Sequence, residues 1–440
     1  MPGAPVLRIF YGEIRSMPTI YGPQTGHATL HDTSGNDTII AAGGYNTIYS
    51  LYGNDTISGG SIGYNTILAG TQYDYAQRDV SIRVNGLGNT IDGGDSNFTI
   101  SSWTGDATIN LGDGNDNLTL GGLNNTVTIG LGADNIVAGS GDDSVTVVGL
   151  VSWLNGPAPE TIAVHFSGHG NSFYNGFYST SDGSAEDYPL PVVSTITGGS
   201  GDGNFTLWGG GSVVTDGLNN NIFVGDGNYN IVAGSGDDSV NMDSPFGGMT
   251  VNVTLAGSGN SVSGGGGGPL VANISGGTGD TTVNMGDGLE TVQANIRLGG
   301  SHNTITAQGM SGSVDPGGDG AIVNLTAGGN LDVMVHGAGD FIGLGDAINA
   351  NINDQSNGLQ IDVSGAASAT IYNFGFDRGA VLTIDLQFGY PQPFQNATQI
   401  VDALQQTSGG ALLSYGPDGG GSFLFAGVSV SQLHASNFAV

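Results

Sequence analysis

The sequence predicts an all-β protein, a β-solenoid, and three observations lead to this prediction. Aliphatic residues recur every nine residues over a long stretch, and a Gly-rich turn carrying Asp or Asn precedes most of them. Glycine supplies 82 of the 440 residues. A short repeat of this kind indicates stacked coils that bury a narrow core against their neighbours. Each repeat is therefore one tight turn followed by one very short strand.

The strictest repeat lies within residues 87–145. The aliphatic position recurs there at six consecutive intervals of nine residues, in Ile91, Ile100, Ile109, Leu118, Val127, Ile136 and Val145. High acidity with much glycine is also typical of disordered chains, but such chains lack a regular apolar period. The repeat therefore favours a folded array.

The composition excludes several classes of function. The chain carries 6 Lys+Arg residues against 38 Asp+Glu, a formal net charge of −32, and it has no cysteine. Nucleic-acid binding is excluded because there is no basic surface to displace counterions from phosphates. A disulfide framework is excluded as well. No apolar run approaches the roughly 18 residues of a membrane span, so we expect no membrane insertion.

The Asp-rich turns predict that folding is coupled to a cation. Carboxylates crowded into successive turns repel one another, and a bridging divalent ion removes that repulsion. Carboxylate and carbonyl oxygens without Cys or His ligands suit calcium. Ca²⁺ is therefore the expected cofactor.

In chain order, residues 1–33 are expected to form an N-terminal strand and cap. Residues 6–14 have the pattern of a strand, which either covers the first coil or pairs with a neighbouring subunit. The N-terminus lacks the charged start and long apolar run of a secretory signal peptide. Residues 34–145 are expected to form the first solenoid block.

Residues 146–195 are expected to leave the solenoid as an irregular insertion. They concentrate prolines and aromatic residues, namely Trp153, Phe166, Phe173, Tyr174, Phe177, Tyr178 and Tyr188. The insertion either packs on the flank of the solenoid or forms a loop that contacts a partner. Both alternatives remain open.

Residues 196–365 are expected to form a second, less regular solenoid block, and residues 366–440 a β-rich C-terminal cap. Within the cap, residues 370–374 and 381–386 have the pattern of longer strands, and residues 397–406 have helical apolar spacing.

Candidate metal ligands lie in the turns. Gly-Ser-Gly-Asp-Asp occurs at residues 139–143 and 234–238, and residues 112–116 are close to it. Glycines that adopt positive φ would let backbone carbonyls point toward the Asp carboxylates. The candidate residues are Asp37, Asp55, Gly112, Gly114, Asp116, Gly132, Asp134, Gly139, Gly141, Asp143, Gly234, Gly236 and Asp238.

These turns resemble the nonapeptide of the repeats-in-toxin, or hemolysin-type calcium-binding, family, which reads Gly-Gly-x-Gly-x-Asp-x-aliphatic-x. The resemblance implies a right-handed parallel β-roll with two nonapeptides per coil and ions between turns along one edge. It implies that Asp116 and Asp134, 18 residues apart, form the best ligand pair. Asp37 and Asp55 form a second pair.

The opposite edge departs from the family. Asn46 and Asn65 replace the acid there, and Asn125 faces Asp143. An amide supplies an oxygen but no charge, so we expect this edge to bind calcium weakly or to form stacked Asn side chains.

The C-terminal region resembles the type I secretion region of the same family. Phe-Asp-Arg at residues 376–378 leads into an apolar strand, and Leu-Phe-Ala-Gly-Val follows at residues 424–428. The resemblance implies export from a Gram-negative cell to the outside without cleavage. A hydrophobic cap is the alternative, and one segment can serve both purposes.

No catalytic constellation is evident, and we expect no enzyme. The sequence His-Glu-x-x-His is absent, and Gly-x-Ser-x-Gly at residues 59–63 lies in a repeat turn without a following helix. His165 and His169 lie close to acidic residues, but the neighbouring glycines disfavour the helix that their spacing needs.

The favoured function is an extracellular structural protein that is stabilised by calcium and self-assembles into a surface layer, filament or matrix. Its expected partners are copies of itself and, as a further candidate, a cell-surface polysaccharide. The alternatives are an adhesin, an ice-binding solenoid that uses rows of Thr such as Thr90, Thr108 and Thr126, and a polysaccharide-active enzyme.

Overall fold

A computed structural model of the chain describes residues 17–70, 78–148, 160–176, 192–243, 245, 247–286, 292–385, 393–415 and 421–440. The chain divides into two compact units, Met1–Asn220 and Asn221–Val440. Both units consist almost entirely of short parallel strands stacked into coils. The predicted β-solenoid is therefore confirmed.

The first unit contains nineteen described strands. They are β1 (Thr19–Tyr21), β2 (Thr29–His31), β3 (Thr38–Ile40), β4 (Thr47–Ser50), β5 (Thr56–Ser58), β6 (Thr66–Ala69), β7 (Asp79–Val84), β8 (Thr90–Gly93), β9 (Asn97–Ser102), β10 (Thr108–Asn110), β11 (Asn117–Leu120), β12 (Thr126–Ile129), β13 (Asp134–Val137), β14 (Ser144–Val147), β15 (Glu160–Phe166), β16 (Ser172–Asn175), β17 (Val192–Gly198), β18 (Asn204–Leu207) and β19 (Gly211–Val214).

Within this unit, strands from β1 to β17 pair in parallel with the strand two further along the chain. Thus β1 pairs with β3, and β2 with β4. The odd-numbered strands form one sheet and the even-numbered strands the other, so one coil consists of two strands and two turns. Where the repeat is strict, Thr108 lies beside Thr126 in the next coil, an offset of 18 residues.

The core lies between the two sheets. Alternate side chains of a strand point to opposite faces, so each three-residue or four-residue strand places one or two apolar side chains inside. The same position stacks from coil to coil in the even-numbered sheet, as Ile48, Ile67, Ile91, Ile109, Val127 and Val145, each at most 1% exposed. The nine-residue period is therefore the spacing of core residues.

The solenoid is longer in sequence than the expected block of residues 34–145. It already includes β1 and β2, which lie in the segment expected to be a cap. The strand expected at residues 6–14 lies outside the described residues.

The expectation that residues 146–195 leave the solenoid is wrong for three strands. β15, β16 and the first residues of β17 continue the coils in register. Phe166 and Phe173 point into the core and are 1% exposed, so aromatic rings take the aliphatic positions. The coil grows to accommodate the additional chain, since Ser172 lies beside Ser144. The other aromatic residues of this segment, apart from Tyr174 on β16, lie outside the described residues.

The second unit contains nineteen further described strands and one α-helix. They are β20 (Asn221–Val224), β21 (Gly227–Val232), β22 (Ser239–Asp243), β23 (Met249–Leu255), β24 (Ser261–Gly265), β25 (Leu270–Gly276), β26 (Thr282–Met285), β27 (Val292–Leu298), β28 (Thr304–Gln308), β29 (Met310–Asp315), β30 (Ile322–Val335), β31 (Phe341–Asp354), β32 (Gln360–Val363), β33 (Ser368–Tyr372), β34 (Val381–Ile384), α1 (Ala397–Ala403), β35 (Gln405–Gln406), β36 (Gly410–Tyr415), β37 (Gly421–Ala426) and β38 (Phe438–Ala439).

The coils of the second unit are less regular. Thr282 lies beside Thr304, an offset of 22 residues, whereas Ile322 lies beside Phe341, an offset of 19. β30 and β31 each run for 14 residues and contribute to both sheets, because β30 pairs first with β28 and then with β29. The varying length explains why the nine-residue pattern fades here.

The C-terminal segment covers the last coil. β37 pairs in parallel with β33 and antiparallel with β36, so the direction of pairing reverses and the array ends. Arg378 of the predicted secretion motif contributes to this end, because its Nη2 lies 3.7 Å from the buried Asp354 carboxylate. The expected strands appear as β33 and β34, and the expected helix as α1.

In the described ranges no helix is both long and apolar enough to cross a membrane.

Candidate functional site

The candidate acids lie in two columns at opposite edges of the coils. Asp37, Asp55 and Asp116 directly precede strands of the odd-numbered sheet, and Asp134 begins one. The other column directly precedes the even-numbered strands and contains Asn46, Asn65, Asn89, Asn125 and Asp143. The structure therefore brings Asp116 and Asp134 to one edge and Asn125 and Asp143 to the other, as the resemblance to the calcium-binding nonapeptide implied.

Three acids of the first column, Asp55, Asp116 and Asp134, bind the backbone of the preceding coil, whereas Asp37 accepts the Thr33 N–H of its own turn. The Asp37 N–H donates to Asp55 Oδ1 at 2.7 Å, and the Asp116 N–H donates to Asp134 Oδ1 at 2.9 Å. Asp116 Oδ1 in turn accepts the Phe98 N–H at 2.9 Å. One oxygen of each of these acceptor carboxylates thus satisfies a buried amide that the tight turn leaves unpaired.

The second column is a ladder of amide side chains. Asn65 Oδ1 accepts from both N and Nδ2 of Asn46 at 3.2 and 2.9 Å, and Asn89 Oδ1 accepts in the same way from Asn65 at 3.1 and 2.9 Å. Asp143 Oδ1 takes the same role toward Asn125, at 2.8 and 2.9 Å. Of the two alternatives expected for this edge, the stacked Asn side chains are therefore present.

Asp238, the candidate acid of the second unit, lies in a similar column. Its N–H donates to Asn260 Oδ1 at 3.2 Å, and farther on the Thr281 N–H donates to Asn303 Oδ1 at 2.9 Å. Gly234 and Gly236 lie in the turn before β22, and the carbonyl oxygen of Gly236 would be 2.2 Å from a Cβ at Gly257 in the next coil. Gly236 and Asp238 therefore lie in a turn that stacks closely on the turn of the next coil.

Four carboxyl groups concentrate negative charge at one edge of the first unit, which we call the acidic edge: Asp113, Asp116, Asp134 and Glu160. Burial raises the pKa of Asp116 to about 7. Burial, together with the charges of Asp116, Glu160 and Asp113, raises the pKa of Asp134 to about 8. Burial and the charge of Asp113 raise the pKa of Glu160. Burial and the neighbouring negative charges therefore disfavour the ionised form of these carboxyl groups.

The chemistry of the acidic edge fits a hard cation. Asp116 Oδ2 and Glu160 Oε2 are buried and have no hydrogen-bond partner within the described structure. Buried oxygen ligands are the donors that Ca²⁺ prefers. No three His, Asp or Glu side chains of the described residues form a group that could hold a metal ion. An ion at this edge would therefore need backbone carbonyl oxygens as additional ligands.

The candidate glycines have a different role from the expected one. Gly112, Gly114, Gly132, Gly139 and Gly141 are not among the described glycines with positive φ, so that expectation is wrong for them. They allow adjacent coils to approach closely instead. A Cβ at Gly132 would lie 1.5 Å from the Gly114 carbonyl oxygen, and one at Gly139 would lie 2.2 Å from that of Gly122.

Positive φ occurs at a neighbouring column that sequence reasoning missed. Tyr45, Tyr64, Asp106 and Asn124 have φ between 50° and 59°, each two residues before an even-numbered strand. Left-handed conformation is costly for a Tyr, so the surrounding stack imposes it. No sequence signal marked these tyrosines.

The same turns carry an exposed apolar surface, which we call the apolar stripe. It consists of side chains in five successive turns, each 45% to 54% exposed: Tyr45, Ile62, Tyr64, Leu87, Trp103 and Leu123. The rings of Tyr45 and Tyr64 stack with centroids 5.0 Å apart and planes 10° from parallel. The stripe thus forms one edge of the coils from β4 to β12.

The sequence places His165 and His169 close to Asp182, Glu186 and Asp187, and these three acidic residues lie outside the described residues. His165 Nδ1 lies 3.1 Å from Thr197 Oγ1, and His169 Nδ1 lies 3.4 Å from Ser200 Oγ. Their neighbours are hydroxyl groups, which offer no charged metal ligand.

Comparison with protein-family models, curated proteins and solved structures finds no match for this chain.

Proposed function

We propose that the protein is an extracellular structural protein of the repeats-in-toxin type that self-assembles into a surface layer, filament or matrix. The apolar stripe is the observation that carries this proposal. A contiguous row of exposed Tyr, Trp, Ile and Leu side chains typically marks an association surface. Its regular position in five successive turns suits contact with another repetitive surface, and a second copy of this chain presents one.

Self-assembly is tested by the shape and the size of the particles that the purified protein forms. Electron microscopy and analytical ultracentrifugation of the purified protein, with calcium and with a chelator, should show ordered assemblies that require calcium. A protein that remains a folded monomer in millimolar calcium would contradict the proposal.

A double substitution locates the contact. Tyr45→Asn with Tyr64→Asn removes the stacked rings, and Asn tolerates the left-handed backbone at both positions. We expect assembly to be lost while the circular dichroism spectrum is kept. Tyr174→Asn is the matched control, because Tyr174 is 46% exposed on β16, away from these turns.

Calcium stabilises the acidic edge in this proposal. Asp113, Asp116, Asp134 and Glu160 supply the charge, and backbone carbonyls complete the ligand set. Burial and, for Asp134 and Glu160, neighbouring carboxylates raise the carboxyl pKa values. Bound Ca²⁺ would supply the opposite charge that favours the ionised form, so binding and folding are linked. Export from the cell places the protein where calcium is abundant.

Titration calorimetry tests the calcium site directly. Asp134→Asn should weaken calcium binding by roughly tenfold or more, because ligand charge largely sets the affinity of such sites. Asp106→Asn removes the same charge at an exposed turn of the opposite edge and should leave affinity unchanged. Equal affinity in both variants would place calcium elsewhere.

Ice binding is the second candidate function, because one row of hydroxyl side chains is in register. Thr47, Thr66, Thr90, Thr108, Thr126 and Ser144 lie beside one another in successive coils. An ice-recrystallisation assay separates the functions, since a structural subunit should be inactive in it.

A further inference from the structure

A groove of about 790 Å³ lies on the outside of the second unit. It crosses five successive strands or strand halves of one sheet, from β25 through β27, β29 and the ends of β30 and β31, and reaches Tyr372 on β33. It is separate from the acidic edge and from the apolar stripe, which belong to the first unit. The side chains that line its outer face are not needed for the core of the coils or for the C-terminal cap.

The first side of the groove is a row of polar side chains with unused hydrogen-bonding capacity. Asn295 Nδ2 donates to Asn273 Oδ1 at 3.0 Å, and Ser313 Oγ donates to Asn295 Oδ1 at 3.0 Å. In the next coils Asn351 Nδ2 donates to Asp332 Oδ1 at 2.9 Å. An Asn amide has two N–H donors, and each of these ladder bonds uses one. Among the described residues, the second N–H of Asn273, Asn295 and Asn351 has no hydrogen-bond acceptor and is available to a ligand.

The second side of the groove is partly apolar. Met334, Asn353 and Tyr372 lie beside one another in successive coils. Met334 is 38% exposed and Tyr372 is 46% exposed, so a flat aromatic ring and a thioether flank an amide. Tyr offers an apolar ring face and a polar hydroxyl together. This combination suits a ligand with C–H faces and hydroxyl groups.

The charges in the groove disfavour a polyanion. Asp315 lies 3.9 Å from Arg297 and 3.5 Å from His336, and Asp332 adds a second carboxylate. The cationic groups are thus matched by acids inside the groove, while the whole chain carries a net charge of −32. A negatively charged polymer would be repelled, whereas a neutral one would not.

We propose that this groove binds a neutral, linear polysaccharide. Adjacent coils are spaced by about 4.8 Å, so a polymer that runs across the strands meets an amide, a hydroxyl or the Asp332 carboxylate at each step. Its hydroxyl groups take the free amide donors, and the C–H face of one sugar packs on Tyr372. The proposal rests on the proposed function only for its extracellular setting, where such a polymer would attach the protein to a surface.

Affinity electrophoresis of the full-length protein tests the groove. The gels contain hydroxyethylcellulose, galactomannan, xyloglucan or dextran as neutral polymers, and alginate or hyaluronate as polyanions. We expect at least one neutral polymer to retard the protein and neither polyanion to do so. Retardation by no neutral polymer, or by a polyanion as strongly, would overturn the proposal.

Two variants assign the binding to the groove. Tyr372→Ala and Asn295→Ala should each weaken binding by about tenfold, and both side chains are exposed, so the fold should persist. Asn135→Ala is the matched control, because Asn135 donates to Asn117 at 3.2 Å in a similar exposed amide pair of the first unit. Unchanged binding in both groove variants would contradict the assignment.

The Tyr45→Asn/Tyr64→Asn variant separates this proposal from self-assembly. If that variant is monomeric and still binds the neutral polymer, the groove acts independently of assembly. Loss of polysaccharide binding in this variant would show that binding arises from the assembled array and not from the groove.

Discussion

Single Asn and Asp side chains hold each coil to the next. Their oxygens accept backbone N–H groups from the neighbouring turn, where a tight turn leaves no carbonyl in position. A buried amide without a partner is costly, so these side chains have a structural role apart from any ion. This explains why Asn can replace Asp along one edge without loss of the fold.

Replacing one member of the amide ladder should destabilise the first unit. Asn65→Ala leaves the buried backbone N–H of Asn46 without an acceptor, while Asn46 Nδ2 keeps the Gly43 carbonyl at 3.0 Å. We expect a loss of about 1–3 kcal/mol in the free energy of unfolding. Chemical denaturation monitored by circular dichroism measures the change. Asn135→Ala, at an exposed amide pair, should change stability by less than about 0.5 kcal/mol.

The buried acids predict an unusual dependence of stability on pH. The folded pKa of Asp116 is about 7, above its ordinary value of 3.8, so the folded state binds the proton more tightly. The stabilisation that this proton gives to the folded state is complete below the pKa of Asp116 in the unfolded chain, and it is lost as the pH rises through the folded pKa. In a chelator we therefore expect the free energy of unfolding to fall as the pH rises from 3.8 to about 7. The decrease should be up to about 1.4 kcal/mol per pH unit for each such group.

Denaturation curves at several pH values check this slope. Asp116→Asn keeps an oxygen for the Phe98 N–H but carries no charge, so its slope should be shallower. Asp106→Asn, at an exposed turn, serves as the control. Stability that rises with pH over this range in calcium-free buffer would contradict the prediction.

The strands are too short to be stable alone, and their stacking makes the fold. Strands of three or four residues contribute one or two core side chains each, so every coil depends on its neighbours. Close approach of the turns is therefore essential. Glycines such as Gly132 permit that approach, since any side chain would meet the backbone of the preceding coil.

Gly132→Ala should disrupt the stack locally. Its Cβ would lie 1.5 Å from the Gly114 carbonyl oxygen, and we expect a loss of about 1–3 kcal/mol or more as the coils move apart. Gly35→Ala is the matched control, because its Cβ would have only Thr33 Oγ1 nearby, at 3.9 Å. Equal thermal midpoints for the two variants would show that the turns separate easily.

Across the whole chain, the net charge of −32 opposes folding through self-repulsion. Added sodium chloride screens this repulsion, so the thermal midpoint in a chelator should rise with ionic strength. Calcium at equal ionic strength should raise the midpoint further. Scanning calorimetry compares the two salts, and equal midpoints would mean that calcium acts only by screening.

The sequence determined the coil and its edges. Ile109 and Val127 recur at the coil period, and a slip of one residue would turn such a side chain from the core to solvent. The resemblance to the calcium-binding nonapeptide implied that Asp116 and Asp134 share one edge, and it left stacked Asn side chains as one of two alternatives for the other edge. The core period is a local property, so the sequence alone was enough to predict it.

Two features could be decided only by the tertiary structure. One is where the coils continue although the nine-residue period is absent, and the other is the groove on the outer face of the coils. Phe166 and Phe173 keep the core intact within a segment that has no repeat, because their strands remain in register with the preceding coil. Asn295 and Tyr372 meet in one groove through coils of unequal length. Turn lengths set that register, and packing between coils sets the turns.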